Sequence, residues 1–202
     1  MPGEIAHAGR RQGAVTAALE AQDVTLVVLA GGEGRRMGGA DKGLVNYRGR
    51  ALVEHVLERM TPQVGAVVVS ANRNADRYAA YGHPVVADVR PGFNGPLAGI
   101  EAALAMVRTP WALVVPCDLP RLPLDLLICL AGEASAAVAC VNGRRHGVLL
   151  LPTEARSLIG TLLGQGERRL MALADVLSAR QVDFADRPEA FDNLNSPDSL
   201  DR

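Results

Sequence analysis

The stretch LAGGEGRRMGGADKG, Leu29 to Gly43, concentrates residue types suited to holding a polyphosphate. Six of its fifteen positions are glycine. Gly31, Gly32 and Gly34 let the backbone enter positive φ and turn its N–H groups inward, and such a nest of amides binds anions with no bulky side chain in the way. Arg35, Arg36 and Lys42 add charge: arginine presents a planar fork to phosphate oxygens, lysine a compact point charge. Two better-known phosphate patterns fail on this loop. In GxGxxG, Met37 stands where the third glycine belongs after Gly32 and Gly34. In GxxxxGK followed by Ser or Thr, Lys42 comes after Asp41 and before Gly43. Neither a Rossmann oxidoreductase nor a P-loop ATPase is supported. Spacing alone leaves open an ordinary glycine-rich βα turn with surface arginines, a common feature of parallel sheets.

Other chemically able residues follow other apolar runs. Asp118, in VVPCDLP, can hold a divalent cation together with phosphate oxygens and water; on local grounds it also reads as a turn aspartate before a proline-rich loop. Asp88 closes PVVAD and Ser70 closes AVVVS. In NGPLAGI, Gly95 and Gly99 let a backbone approach a ligand closely, or simply make a loop and helix cap. Arg168 and Arg169 are a basic pair that, on a helix, is also an ordinary solvated face. Asn193 and Asn195 bracket Leu194, and their amides offer a paired donor and acceptor to a flat heterocycle. His146 lies beside a predicted hairpin, either exposed or facing such a heterocycle. Cys117 adjoins Asp118 without a histidine partner in its motif, so it reads as a small residue packed beneath the loop.

These residues need a frame. VTLVVLA (24–30), AVVVS (66–70), PVVAD (84–88) and WALVVP (111–116) read as short strands buried on both faces. Helical patterns alternate with them at 51–60, 74–82 and 97–107. In the first, Leu52, His55, Val56 and Arg59 fall on one mostly apolar face with mixed edges. Strands alternating with helices imply right-handed crossovers and a doubly wound, mostly parallel α/β sheet, whose ligands bind at the carboxyl ends of the strands. Further on, PLDLLICLAGEA reads as a helix from Pro123. AAVACV, Asn142-Gly143 and RRHGVLLL read as a hairpin with a type I′ turn. Thr153 is placed to cap a helix through about 164, ERRLMALADVL suits another, QVDF a last strand, and Ser196-Pro197-Asp198 a helix start.

The composition bounds the function. A chain of 202 residues, 49% hydrophobic, suffices for one domain with a full core. We read 23–202 as that domain and 1–22 as a flexible extension. A net charge of −1 argues against nucleic acid or an anionic membrane as partner, so any anion site must be local. No apolar run reaches the ~18 residues of a spanning helix. Three cysteines, Cys117, Cys129 and Cys140, make neither a CxxC pair nor an even disulfide set, which predicts reduced thiols and a cytoplasmic location.

LAGGEGRRMGGADKG resembles the signature of nucleotidyltransferases with a sugar-nucleotide-synthetase-like fold, and its GGxDKG ending most resembles the molybdenum cofactor guanylyltransferases, the MobA family. SANR (70–73), Asp88, GPLAG (95–99), PCDLP (116–120), GERRLM (166–171) and NLNSPDSL (193–200) follow in the family's order, so the resemblance covers roughly 24–200. It implies a Rossmann-like nucleotidyltransferase fold with a small β-hairpin insertion, a nucleotide-binding half at about 23–120 and an acceptor-binding half at about 121–202. It implies transfer of GMP from GTP to molybdopterin with release of pyrophosphate, assisted by Mg2+. Lys42, Arg36 and Asp118 take the catalytic roles. Leu29, Ala30, Gly31, Gly32, Lys42, Ser70, Asp88, Gly95 and Asp118 bind the nucleotide. Asp118, with Asn195 as a second candidate, holds the metal, and Arg168, Arg169, Asn193 and Asn195 meet the acceptor. Other proteins of molybdenum cofactor synthesis, or target molybdoenzymes, are the implied protein partners. Two departures stand out: Ser70 replaces the usual asparagine, and Gly147 follows His146 where the family often has proline. The alternatives are a related cytidylyl- or sugar-phosphate nucleotidyltransferase, or a non-catalytic carrier of GTP or the finished cofactor.

Overall fold

Runs of valine and leucine too short for a helix become strands that bury both faces. The computed structural model of the chain describes residues 19–31, 40–90 and 95–194. Its strands are β1 (Val24–Leu29), a small ribbon of β2 (Asn46–Tyr47) and β3 (Arg50–Ala51), then β4 (Ala66–Ser70), β5 (Val85–Val86), β6 (Trp111–Pro116), β7 (Ala137–Val141), β8 (Arg144–Pro152) and β9 (Arg180–Asp183). Apart from the ribbon they form one seven-stranded sheet, in the order β5-β4-β1-β6-β8-β7-β9. β1 runs parallel to β4 and β6, β4 to β5, and β7 to β9, while β8 is antiparallel to β6 and β7. The hairpin turn has Asn142 at φ 49° and Gly143 at φ 77°, two left-handed residues as type I′ requires. That hairpin joins the main sheet, with β8 lying directly beside β6.

The helices are α1 (Leu52–Met60), α2 (Ala75–Ala79), α3 (Pro96–Leu104), α4 (Leu126–Leu130), α5 (Arg156–Gly164) and α6 (Leu170–Val176). Strand alternation sends Leu26 and Val28 to one face of the sheet, where α1, α2 and α4 pack through Val56, Tyr78 and Leu126. Val27 points to the other face, into the core made by α3, α5 and α6 through Ile100, Ile159 and Leu173. A third, small cluster joins Tyr47 and Leu52 to Leu194.

Four local expectations are corrected. α1 buries Leu52, Val53, Val56, Leu57 and Met60, so His55 and Arg59 lie beside the apolar face, and Arg59 turns its Nε to the Leu122 carbonyl. α4 starts at Leu126, not Pro123: the Gln63 amide donates to the Pro123 carbonyl at 3.0 Å and accepts from the Leu127 N–H at 2.9 Å, satisfying backbone groups that a longer helix would have used. Thr153 does not cap α5, because its hydroxyl donates to the Thr109 carbonyl (2.8 Å), and α5 begins at Arg156 after one tight turn. α6 begins at Leu170, so Arg168 and Arg169 precede it rather than ride on it. The Glu167 carboxylate accepts from the N–H groups of Arg168 (2.8 Å) and Arg169 (2.9 Å) and keeps Arg169 extended. Of the stretch expected to be flexible, residues 1–18 lie outside the described residues, whereas Ala21–Asp23 form a tight turn close against Gly65. The helix start expected at Ser196 also lies outside them.

Candidate active site

Sheet register builds the site. Leu29 is level with Ser70 on β4 and with Pro116 on β6, and Ser70 is level with Val86 on β5. Four neighbouring parallel strands thus end along one edge, and the next residues of each emerge together. The ladder continues a step past the strands: the Ala30 N–H donates to the Ser70 carbonyl (2.8 Å), Ala71 to Val86 (2.8 Å) and Cys117 to Leu29 (3.0 Å). Beyond that edge lies a cavity of about 410 Å³. Leu29, Ala30, Gly31, Lys42, Ser70, Asp88, Gly95 and Asp118, all named from the sequence as nucleotide-binding, line it together. Gly32 and Arg36, named from the same loop, and Asn195 lie outside the described residues.

Gly31 turns the chain away from β1 at φ 62°, and a Cβ there would stand 2.8 Å from the Asn72 nitrogen and 2.9 Å from the Ala71 Cα. Both the dihedral and the neighbouring backbone demand glycine. Gly31→Ala is expected to lose about 2–3 kcal/mol of stability from strain and overpacking, read as a lowered denaturation midpoint with an unchanged m-value.

Lys42 is positioned from beneath. The carboxylate of Asp41 accepts from the Tyr78 hydroxyl (2.6 Å) and the Asn74 amide (2.8 Å). Tyr78 is fully buried, and Gly43 sits against its hydroxyl with the Cys117 sulfur at 3.3 Å from a Cβ built there. The turn carrying Lys42 is therefore seated on α2 and on the end of β6. Its ammonium pairs with Oδ2 of Asp118, and the Asn193 amide donates to that same oxygen at 2.8 Å. The other oxygen, Oδ1, is buried with no hydrogen-bond partner among the described residues. A bare, buried carboxylate oxygen is a hard donor of the kind a small divalent cation takes. Among the described residues no group of three or more His, Cys, Asp and Glu is arranged to hold a metal ion. Asn193 is fixed in turn by Leu194, whose N–H donates to the Asp118 carbonyl (3.1 Å) and whose side chain is buried with Tyr47 and Leu52.

Among the described residues, the far end of the cavity is lined by polar side chains and no cation. The Asp88 N–H donates to Oδ1 of Asn72 (2.8 Å), and burial raises the Asp88 carboxyl above the ordinary range, opposed by its hydrogen bond to Asn72. Ser70 is buried, and α3 packs on it so tightly that a Cβ on Gly99 would lie 2.5 Å from its hydroxyl. Gly95, at φ 71°, turns the chain into α3 and abuts the Arg168 backbone.

The basic pair stands apart from the cavity lining. Arg168 spends its guanidinium on the Leu163 (2.9 Å) and Glu167 (3.0 Å) carbonyls, and Arg169 is exposed and paired with Glu167. The Arg169 guanidinium, followed by the N–H groups of Arg169 and Arg168, pulls the Glu167 carboxyl down to about 2. His146 is half-buried with its ring 5.3 Å from that of Phe191, and burial lowers its pKa. Burial also drives the Cys117 thiol far up, with the charges of Asp118 and Asp41 adding to it, so this sulfur is protonated and no nucleophile.

Sequence reasoning missed Asp41 as the anchor of the lysine turn and Asn193 as the partner of Asp118. The first had a signal in the DKG motif; the second had none, because nothing local ties residue 193 to residue 118.

The chain matches the family model described as the MobA-like NTP transferase domain over residues 26–182. It is 42% identical over 179 residues to a molybdenum cofactor guanylyltransferase of Serratia proteamaculans, covering 87% of this chain and 91% of that one. It is also 42% identical over 185 residues to a protein of the same name from a Shewanella species, covering 89% and 94%. Among solved structures, molybdopterin-guanine dinucleotide biosynthesis protein A from Archaeoglobus fulgidus superposes with a TM-score of 0.72 at 25% identity, covering 88% and 95%. A CMP:2-keto-3-deoxy-manno-octonic acid synthetase complexed with CTP shares the fold alone, at 15% identity and a TM-score of 0.61.

Proposed function

Because the chain belongs to the MobA-like NTP transferase family, we propose that it transfers GMP from GTP to molybdopterin, forming the guanine dinucleotide cofactor and pyrophosphate. The observation that carries this reading is the Asp118 carboxylate at the strand ends, paired on one oxygen with Lys42 and Asn193 and bare on the other. In the proposed reaction the terminal phosphate of molybdopterin attacks the α-phosphorus of GTP in line. That phosphate is already an anion, so the chain needs no strong general base, and the barrier is one of charge repulsion and positioning. Lys42 supplies a fixed cation where the pyrophosphate departs, Gly31 brings its backbone to the phosphates, and Arg36 and Gly32 of the same loop keep the roles that the resemblance gives them. Asp118, with Asn195 as second candidate, would hold Mg2+, which when bound would supply positive charge to the phosphate oxygens. Asp88, Ser70 and Asn72, at the end of the cavity away from Lys42, are assigned to the ribose and base. Arg168, whose backbone abuts Gly95, and Arg169 are kept for the acceptor. No described helix is long and apolar enough to cross a membrane, and we place the reaction in the cytoplasm.

Pyrophosphate release from GTP, CTP and UTP, each with molybdopterin and Mg2+, tests the proposal. Release with GTP at least about tenfold above the other two is expected, since a site built to hydrogen-bond one base rejects another strongly. Preference for CTP would replace this reading with the cytidylyl one. GTP binding without pyrophosphate would make the protein a carrier.

A further inference from the structure

α3 is apolar along its whole length except for Glu101, which is 8% exposed. An acid so placed is costly unless it is paired and hydrogen-bonded. Arg90 meets it with both edges of a fork: Nε donates to Oε2 at 2.7 Å and Nη2 to Oε1 at 2.8 Å. The backbone of α5 crosses directly over the pair, since a Cβ on Gly160 would lie 3.1 Å from Glu101 Oε1 and 3.8 Å from Arg90 Nη2. Arg156 adds a second positive charge nearby, and the Glu101 carboxyl is held below its usual range, first by the Arg90 hydrogen bonds.

The position of the pair matters more than its strength. Arg90 follows Asp88 by two residues, and Glu101 follows Gly99 by two. Asp88 and Gly99 face each other in the cavity, with Asp88 Oδ1 3.5 Å from a Cβ built on Gly99. The segment bearing Asp88 is thus tied down twice, at its own N–H by Asn72 and two residues later by the fork on α3. An apolar contact would hold the segment near α3, but only a bidentate pair fixes its distance and orientation.

We propose that Arg90 and Glu101 are positioning residues, a clamp that sets the gap between the Asp88 segment and the first turn of α3 and so the affinity for the nucleoside part of the substrate. The proposal rests on the guanylyltransferase reading. It predicts a change at the Asp88 end of the cavity with none at Lys42 and Asp118.

The test uses Arg90→Lys, which keeps the charge and loses the fork, and the double variant Arg90→Met with Glu101→Met, which replaces the pair by apolar volume and preserves the fold. Binding of GTP and of GMP is measured by calorimetry beside steady-state kinetics and thermal melting. In the double variant, Kd for both nucleotides and KM for GTP should rise about tenfold by the same factor, with kcat within about twofold of the parent. Arg90→Lys should fall between. A folded double variant with parental affinity would overturn the clamp, as would a loss confined to kcat or to GTP over GMP. If the parent protein itself binds neither nucleotide, the guanylyltransferase reading fails and the clamp falls with it; if the parent binds and turns over, any failure belongs to the clamp alone.

Discussion

Asp118→Asn is expected to lower divalent-dependent transfer by about 10³-fold or more, the scale of removing a preorganised charge at a reacting phosphate. The substitution is nearly isosteric. It keeps an oxygen for Lys42 and Asn193 and leaves the main-chain bond to Leu194 untouched, so the fold should survive with little change in melting temperature. What it replaces is the buried, unpartnered oxygen, whose place is taken by an amide NH2 that cannot ligate a cation, and the net charge of the group is lost. Mn2+ binding, followed by the loss of its free-ion paramagnetic signal in the presence of GTP, gives a readout independent of turnover and should weaken in parallel. Full activity with normal Mn2+ binding would remove Asp118 from the metal site.

Lys42→Ala is expected to reduce kcat/KM by about 10²- to 10³-fold, corresponding to ~2–4 kcal/mol for one preorganised charge contact. Two further results would distinguish a role at the leaving group from a general loss of structure. Product inhibition by pyrophosphate should weaken, because the cation that receives it is gone. Binding of GMP, which lacks the departing phosphates, should change little. Lys42→Arg should recover only part of the activity: the turn is seated on Tyr78 and Asp41, and the wider guanidinium fork does not match the slot of a compact ammonium. An unchanged rate in Lys42→Ala would refute its catalytic role.

The parts of the molecule legible in the sequence are those fixed by short-range pattern. VTLVVL, AVVVS and WALVVP are β-branched, short and apolar, and each became a strand of the parallel half of the sheet. Once those strands are parallel and in register, the residues just past their ends must gather, and for that reason Leu29, Ser70, Asp88 and Asp118 came together at one edge. Asn142-Gly143 named its own turn. Helix starts were less legible, because distant or competing side chains set two of them: Gln63 holds the chain ahead of α4, and Glu167 captures the two N–H groups ahead of α6. The pairing of Arg90 with Glu101 was invisible for the same reason: neither residue carries a local signal for the other. Asn193 was singled out as an amide for the acceptor, whereas its contact with Asp118 depends on Leu194 entering a pocket made by Tyr47 and Leu52, a tertiary event with no local period.

That late contact has a consequence for how the protein is made. Asn193 is synthesised 75 residues after the carboxylate it touches. At ~5–20 residues per second the ribosome needs roughly 4–15 s to cover that interval. Throughout it the residues of β1, β4, β6 and the lysine turn have already been made, while the partner amide of the aspartate has not. A polypeptide released early, anywhere between residues 184 and 192, would carry all seven strands of the main sheet and still present an unfinished centre.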